Sequence, residues 1–150
     1  MTDPTRAPAE LHHTIESRLR GVGQRYTGRR RRLVDILARA GSPLPIREIV
    51  GRRRDLAVSS VYRNLADLEL AGVVRRVITE EEHGRYELAE DLTGHHHHLL
   101  CSNCGRVEDV DLPAGFEQTL DRTLDRLARD AGFATVSHRL DLIGRCRDCS

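Results

Sequence analysis

Two Cys-x-x-Cys pairs contain all four cysteines of this 150-residue chain: Cys101 with Cys104, and Cys146 with Cys149. A Cys-x-x-Cys turn presents two thiolates to one cation, and two such turns complete the tetrahedral sulfur shell that suits zinc. Two disulfides or a thioredoxin-like redox pair are the alternatives, but the count, the spacing and the histidines just before Cys101 favour metal. The sequence therefore predicts a zinc site that ties the end of the chain to the segment near Cys101.

Four consecutive histidines, His95 to His98, stand close to the first cysteine pair. Alternate side chains of a strand share a face, so His96 and His98 point one way while His95 and His97 point the other. One strand can therefore serve two different metal sites. An affinity tag or a solvated polar strand is the alternative, but an internal run that leads into Cys-x-x-Cys-Gly is not typical of a tag.

The charge distribution divides the chain into a basic and an acidic half. Residues 1–78 carry 16 Arg and 8 acidic residues, whereas residues 79–150 carry 8 Arg and 15 acidic residues. The net charge of +1 therefore conceals a basic half of +8 and an acidic half of −7. This division suggests that one half contacts an anion, such as nucleic acid, while the other half binds metal and either senses it or folds around it.

Membrane and export signals are not evident in the sequence. No apolar run approaches the roughly 20 residues of a membrane span, and the N-terminus lacks the apolar core of a signal peptide. We therefore expect a cytoplasmic protein without membrane contact, whose thiols stay reduced and available to zinc.

Helical periodicity dominates the first half of the chain. It predicts helices over 9–21, 29–40 and 46–50, and a fourth helix that Ser59 or Ser60 caps and Gly72 ends. Strand-like stretches at 73–79 and 85–88 flank a polar turn, which predicts a β-hairpin. Helices followed by a hairpin make a winged helix-turn-helix, whose last helix enters the major groove of DNA. A small helical domain with an added hairpin is the alternative, which the basic charge disfavours.

The second half predicts a small α/β lobe. Strands are expected at 97–101, 107–112 and 133–144, and an amphipathic helix at 114–131. The expected fold class is α+β, with a winged-helix DNA-binding domain at 1–88, a hinge at 89–94 and a metal-binding dimerisation domain at 95–150. Such a lobe exposes sheet edges and an apolar face, and pairing with a second copy would cover both.

Several motifs resemble the ferric uptake regulator family in their chain order. Val61–Leu65 follows a pair of serines, and the run from His95 to Gly105 joins the histidines to the first cysteine pair. The pattern continues at 132–133, 137–140 and 146–149, so the resemblance covers nearly the whole chain. It implies a homodimeric, metal-dependent transcriptional repressor that binds an inverted-repeat operator in double-stranded DNA and controls metal-homeostasis genes.

The same resemblance implies three metal sites. The four cysteines would hold structural Zn²⁺. A regulatory site for Fe²⁺ or Zn²⁺ would use an acid before the hinge and one face of the histidine strand, namely Glu87, His96 and His98. Its fourth ligand would come from the N-terminal half, with three candidates: His83, His12 and His13. An additional site would use the other face of the strand, namely His95, His97, His138 and Glu117, with Asp121 as the alternative to Glu117.

The residues expected at the DNA surface lie on the recognition helix and in an arginine run: Ser59, Ser60, Tyr62, Arg63, Asn64, Arg29 and Arg30. Serines at a helix N-terminus favour phosphate contact, and arginines neutralise phosphates.

Two other functions stay open from the sequence. One is a peroxide-sensing repressor of the same family, in which ferrous iron oxidises a histidine ligand. The other is a metal-dependent hydrolase, although no obvious general base, nucleophile or oxyanion loop accompanies the histidines.

Overall fold

The computed structural model describes residues 8–52, 55–79, 84–134 and 137–150. Helices and short strands mix along the chain, so the α+β class that the sequence predicts is confirmed. The elements in order are α1 (Pro8–Gly21), α2 (Gly28–Ala38), α3 (Ile46–Gly51), α4 (Val58–Leu70), β1 (Val74–Val77), β2 (Arg85–Leu88), α5 (Glu90–Thr93), β3 (His97–Cys101), β4 (Val107–Val110), α6 (Ala114–Asp130), β5 (Asp141–Gly144) and a final 3-10 turn at Arg147–Cys149.

The main hydrophobic core lies between the first four helices and the β1–β2 hairpin. Ile15 and Leu19 of α1, Leu33 of α2 and Leu65 and Leu68 of α4 are fully buried there. These side chains recur at helical spacing, and burying each one stabilises the fold by about 1.5–3 kcal/mol. Strands β1 and β2 pair antiparallel and close the unit as a wing. The helices and the wing together form a winged helix.

The N-terminus of α4 differs from the sequence prediction. Serine capping at Ser59 or Ser60 is wrong, because Ala57 is the N-cap and makes no side-chain capping bond. The amide of Ser60 already donates to the carbonyl of Ala57 at 3.0 Å, so both serines lie inside the first turn. The Ser60 hydroxyl instead lies 3.2 Å from Nδ2 of Asn64, one turn along the helix.

The segment expected to act as a hinge, 89–94, forms the short helix α5. Its Leu92 is buried in the winged-helix core, and its Asp91 pairs with Arg18 of α1. Arg18 also donates to the carbonyl of Gly72 at 2.6 Å. One arginine therefore links α1, the end of α4 and the segment that leads into the C-terminal sheet.

The C-terminal lobe is a three-stranded sheet with helix α6. Strand β3 is central, antiparallel to β4 and parallel to β5. The strand predicted over 133–144 is wrong for 137–140, since only Asp141–Gly144 pairs with β3. Strand β3 has only five residues, so it can pair with no more of the alternating segment than this. Within the described parts of the chain, no helix combines the length and the apolar character that crossing a membrane requires.

Candidate metal centres

Three groups of potential ligand side chains lie in or beside the C-terminal sheet. Within the described residues, each group has its ligand atoms within 4.8 Å of one another. We refer to them as the cysteine, regulatory and additional centres: Cys101, Cys104, Cys146 and Cys149; Glu87, His96, His98 and Asp109; and His95, His97, Glu117 and His138.

The cysteine centre joins the end of β3 to the final turn of the chain. All four cysteines are free thiols, and Sγ of Cys104 lies 3.7 Å from Sγ of Cys146. A tetrahedral zinc with Zn–S bonds of about 2.3 Å would separate its sulfurs by about 3.8 Å, so this spacing fits zinc.

The acidity of the thiols also fits a cation. Backbone amide groups, those of Cys104 and Cys146 first, lower the pKa of Cys101 to about 6. Burial and the neighbouring thiols raise the pKa of Cys146 to about 12. Four thiolates can therefore coexist here only when a cation balances their charge.

The regulatory centre brings together three neighbouring strands. Glu87 comes from β2, His98 from β3 and Asp109 from β4, while His96 precedes β3 by one residue. Oε2 of Glu87 lies 3.1 Å from Nε2 of His96 and 3.3 Å from Nε2 of His98. The Nε2 atom of His98 also lies 3.9 Å from Oδ1 of Asp109. Two imidazoles and two carboxylates therefore face one point.

The other ring nitrogens of this centre are already occupied. Nδ1 of His96 lies 3.0 Å from the carbonyl of Gly94, and Nδ1 of His98 lies 3.1 Å from Oδ1 of Asp141. These acceptors favour the tautomer with hydrogen on Nδ1, which leaves the Nε2 lone pairs free to bind metal. The outer partners thus orient both imidazoles for ligation.

Charge at the regulatory centre is concentrated on Glu87. Burial alone would raise the pKa of Glu87, but hydrogen bonds from His96 and His98 and the charge of Arg75 outweigh it and lower the pKa to about 2. The same hydrogen bond to Glu87 raises the pKa of His96 against the opposing effect of burial. Burial raises the pKa of Asp109, and the charge of Glu87 adds to that. An ionised Glu87 is therefore present throughout the physiological range.

The fourth position of the regulatory centre is where the sequence missed a residue. Asp109 lies in the group, although the sequence pointed to a histidine from the N-terminal half. His83 lies outside the described residues. Both ring nitrogens of His12 contact other groups, at 2.6 Å from Tyr26 Oη and 3.2 Å from Asp35, and the exposed His13 lies outside the group. The pairing of His98 with Asp109 across β3 and β4 was the signal that could have found this aspartate.

The additional centre surrounds Glu117 at the start of α6. The Nε2 atoms of His95, His97 and His138 lie 3.0, 2.9 and 3.1 Å from its carboxylate oxygens. Asp121, the alternative acid, lies instead 3.1 Å from Nδ1 of His138, on the ring edge away from Glu117. Nδ1 of His95 similarly contacts Glu90. Glu117 rather than Asp121 therefore faces the three imidazoles.

Two buried nitrogens of the additional centre have no hydrogen-bond partner. They are Nδ1 of His97 and Nε2 of His138. The second is notable because it lies close to Glu117 and yet makes no hydrogen bond with it. Its lone pair faces the space between the side chains, as metal ligation requires. The residues therefore fit a cation.

The donor sets of the three centres differ. Four thiolates suit zinc, and two imidazoles with two carboxylates suit iron, manganese or zinc. Three imidazoles and one carboxylate form a more nitrogen-rich set, which suits zinc and its neighbours in the Irving–Williams order. The chain can therefore distinguish several metals by ligand type.

The residues expected at the DNA surface divide into exposed and inward-facing ones. Ser59, Tyr62, Arg63 and Arg29 are exposed on α4 and α2, while Ser60 and Asn64 are half-buried. Arg30 is only 7% exposed, and its guanidinium contacts groups within the domain. Its partners are Asp67, Oε1 of Gln24 at 2.9 Å and Oδ1 of Asn64 at 3.2 Å. This burial does not fit the expected phosphate contact of Arg30.

A winged helix joined to three metal-type clusters defines the class of metal-binding DNA-binding proteins, and comparison with known proteins assigns the family. The sequence profile of the Ferric uptake regulator family matches residues 21–143. The chain is 35% identical over 105 residues to a ferric uptake regulation protein of Cupriavidus metallidurans, covering 69% of this chain and 68% of that protein. It is 28% identical over 148 residues to the peroxide operon regulator of Bacillus subtilis, covering 96% of each. The solved ferric uptake regulator of Pseudomonas aeruginosa with manganese has a TM-score of 0.69 at 26% identity, covering 87% of this chain and 96% of that one. The chain therefore belongs to the ferric uptake regulator family.

Family membership has direct consequences for the class of function. Proteins of this family are metal-responsive transcriptional regulators that bind DNA and act as dimers. The resemblance that the motifs indicate is confirmed, and the chain is a regulator rather than an enzyme. The alternative of a metal-dependent hydrolase is therefore set aside.

Proposed function

We propose that this chain is a homodimeric, metal-dependent repressor whose regulatory centre binds Fe²⁺ or Zn²⁺ as corepressor. One arrangement carries the proposal. Glu87 belongs to the wing, whereas His96, His98 and Asp109 belong to the C-terminal sheet and the residues just before it. A cation held by all four would therefore connect the DNA-binding lobe to the rest of the molecule.

The energetics of this connection follow from linkage. Glu87 is two residues from the start of α5, so its position reports the angle between wing and sheet. If the four ligands meet only in the closed arrangement, a cation at 100 times its Kd favours that arrangement by about 2.7 kcal/mol. This amount converts an evenly balanced hinge into one that is about 99% closed.

The proposed dimer would cover the C-terminal lobe. The lobe leaves Leu99, Phe116, Leu127 and Ile143 at least 41% exposed, and α6 has no buried residue in the single chain. Strands β4 and β5 are both edge strands of the small sheet. Exposed apolar faces and open edges of this kind are covered in stable proteins, and a twofold pairing of identical lobes covers both.

The proposed DNA surface is the exposed side of α4. Ser59 lies in its first turn, and Tyr62 and Arg63 follow on the exposed face. Arg29 at the start of α2 adds a charge for phosphate contact. A symmetric dimer presents two such helices to successive major grooves, so its operator would be an inverted repeat. This role agrees with the cytoplasmic location that the sequence predicts.

The other two centres support the regulatory one in this proposal. The cysteine centre would hold structural zinc, because a closed sulfur shell contributes folding energy and leaves no position for a substrate. The additional centre would hold a further divalent cation between His97 of β3 and Glu117 of α6. Helix α6 would then be attached to the sheet through this centre.

Asp109 supplies the test of this function. DNA that the zinc-loaded or iron-loaded protein selects from a random duplex pool is labelled, and binding is followed by fluorescence anisotropy after EDTA treatment and stepwise metal addition. Wild type should bind only with metal, and Asp109→Asn should raise the half-maximal metal concentration at least about tenfold, since one ligand is lost. Glu108→Gln in the same strand removes an equal charge outside the centre and should behave as wild type. Equal DNA binding with and without metal would disprove the proposal.

A peroxide-sensing repressor is the second candidate. The observation in its favour is the match with the peroxide operon regulator of Bacillus subtilis across 96% of both chains. His96 and His98 would hold ferrous iron beside their own rings, where iron-catalysed reaction with hydrogen peroxide inserts one oxygen atom into an imidazole. Peptide mass spectrometry after peroxide treatment should then find this oxygen on the iron-loaded protein and not on the manganese-loaded control. Unmodified histidines in both samples would exclude this candidate.

A further inference from the structure

A buried arginine of the wing, Arg75, lies at the ligand atoms of the regulatory centre. Its Nε atom donates to Oε1 of Glu87, and its Nη2 atom lies 3.4 Å from Nε2 of His96. Its Nη1 atom lies 3.4 Å from Oε2 of Glu90 in α5. The side chains of Arg75 and Glu87 are only 13% and 9% exposed, so water screens this pair weakly.

We propose that Arg75 is a built-in competitor of the corepressor: its guanidinium occupies the regulatory centre in the metal-free chain and must withdraw before a cation can bind. The inference rests on the proposed function, because it concerns the same metal site. It adds a residue that sets the metal concentration at which the repressor responds.

Geometry is the first argument. A metal–imidazole bond is about 2.0–2.1 Å long and lies along the Nε2 lone pair. The same lone pair of His96 faces the Nη2 nitrogen of Arg75 at 3.4 Å. The ring has no second free nitrogen, because Nδ1 faces the carbonyl of Gly94 at 3.0 Å. A cation and the guanidinium therefore cannot both use His96.

Charge is the second argument. Glu87 is buried, and its carboxylate needs a cation nearby in the absence of metal. Arg75 supplies that charge, since it is the residue paired with Glu87 across the β1–β2 ladder. When a divalent cation takes Glu87, the guanidinium becomes a like charge a few ångströms away, and this repulsion opposes binding.

Glu90 provides a place for the displaced guanidinium. Its Oε2 atom already lies 3.4 Å from Nη1, so a change of the Arg75 side-chain torsions is enough to transfer the arginine to it. Glu90 also contacts Nδ1 of His95 in the additional centre. The exchange therefore moves the arginine's charge from the wing towards α5 as the regulatory centre fills.

Cobalt binding provides the test. Co(II) is titrated into zinc-loaded protein carrying Glu117→Gln, which disables the additional centre, and the visible d–d absorption reports the regulatory centre. Arg75→Gln should bind Co(II) at least about tenfold more tightly, because removing a single charge near a divalent cation relieves a repulsion of this order. Arg75→Lys should lie between Arg75→Gln and wild type, because an ammonium keeps the charge but cannot contact three partners at once.

Arg76→Gln is the matched control. It removes the same charge from the neighbouring position of β1, where the side chain lies beside Gly84. Its Co(II) affinity should stay within about twofold of wild type, and circular dichroism and zinc content should confirm folding of every variant.

The rival explanation predicts the opposite sign. If Arg75 only orients Glu87 as an outer partner of the metal, Arg75→Gln should bind Co(II) more weakly. Weaker or unchanged affinity in both Arg75 variants would therefore overturn the inference while the proposed function survives. A complete lack of Co(II) binding at this centre in every protein would overturn both.

Discussion

Removal of the Glu87 carboxylate should reverse the direction in which the pKa of His96 is displaced. In the metal-free chain the pKa of His96 is raised from its ordinary value of 6.5 because Nε2 lies 3.1 Å from Oε2 of Glu87. Burial opposes this effect and lowers the pKa. Glu87→Gln removes the first influence and keeps the second. The pKa of His96 should therefore fall below 6.5 in the variant.

The size of the change follows from charge separation. Two unit charges about 4 Å apart interact by about 4 kcal/mol at an effective dielectric constant of 20, and each pKa unit corresponds to about 1.4 kcal/mol. Because Arg75 already neutralises part of the Glu87 charge, we expect a decrease of one to two units, on the order of half that limit. His95 is an internal reference, since burial lowers its pKa and it does not contact Glu87 in the described contacts.

The assay is a pH titration of metal-free protein by histidine ring NMR, with each resonance assigned by single histidine replacement. In wild type, His96 should titrate above pH 6.5 and His95 below it. In Glu87→Gln, the His96 midpoint should move below 6.5 and the His95 midpoint should stay. A His96 midpoint that is below 6.5 in wild type, or the same in both proteins, would refute the role assigned to Glu87.

The same displacement has a consequence for metal sensing. A protonated imidazole cannot ligate, so protons compete with metal at His96 as soon as the pH falls through its raised pKa. Competition therefore begins above pH 6.5, and each further pH unit weakens binding about tenfold for this single proton. Glu87, with a pKa of about 2, stays ionised and adds nothing to this dependence.

Two further predictions concern the folded state and the DNA surface. Cys101→Ser should lose zinc to EDTA and melt the C-terminal lobe, because one of four sulfur ligands is gone; atomic absorption and circular dichroism measure this, with Ser102→Ala as control, and a zinc-retaining folded variant would contradict it. Arg30→Ala should destabilise the winged helix by about 3–5 kcal/mol in urea unfolding, since it leaves Asp67 without its partner, whereas the exposed Arg29→Ala should weaken only salt-dependent DNA binding. Equal stability of both arginine variants would show that the buried network contributes little.

How far the sequence predicts each feature depends on the distance in sequence between the residues that form it. The Cys-x-x-Cys pairs present two thiols each by local turn geometry, and the alternation of His95 to His98 follows from strand geometry alone. Glu117 could be expected only through the family resemblance, and the position of Asp121 on the far edge of His138 appears only in the fold. The extent of β5 was missed because its length is set by β3, its partner, and not by its own alternating pattern.

Asp109 and Arg75 were missed for one physical reason, and that reason shows how they could be found. Each lies directly across a ladder from a predicted ligand: Asp109 faces His98 and Arg75 faces Glu87. Cross-strand partners lie about 4.5–5.5 Å apart at their Cβ atoms, so a charged residue opposite a ligand either joins the centre or competes for it. Once the Cys101–Cys104 turn fixes the β3–β4 register, the residue opposite His98 must be an acid if it is to ligate and a base if it is to compete. The sign of the side chain opposite each ligand is therefore a property of the sequence that distinguishes a site with an added ligand from one with an internal competitor, and this chain has one of each.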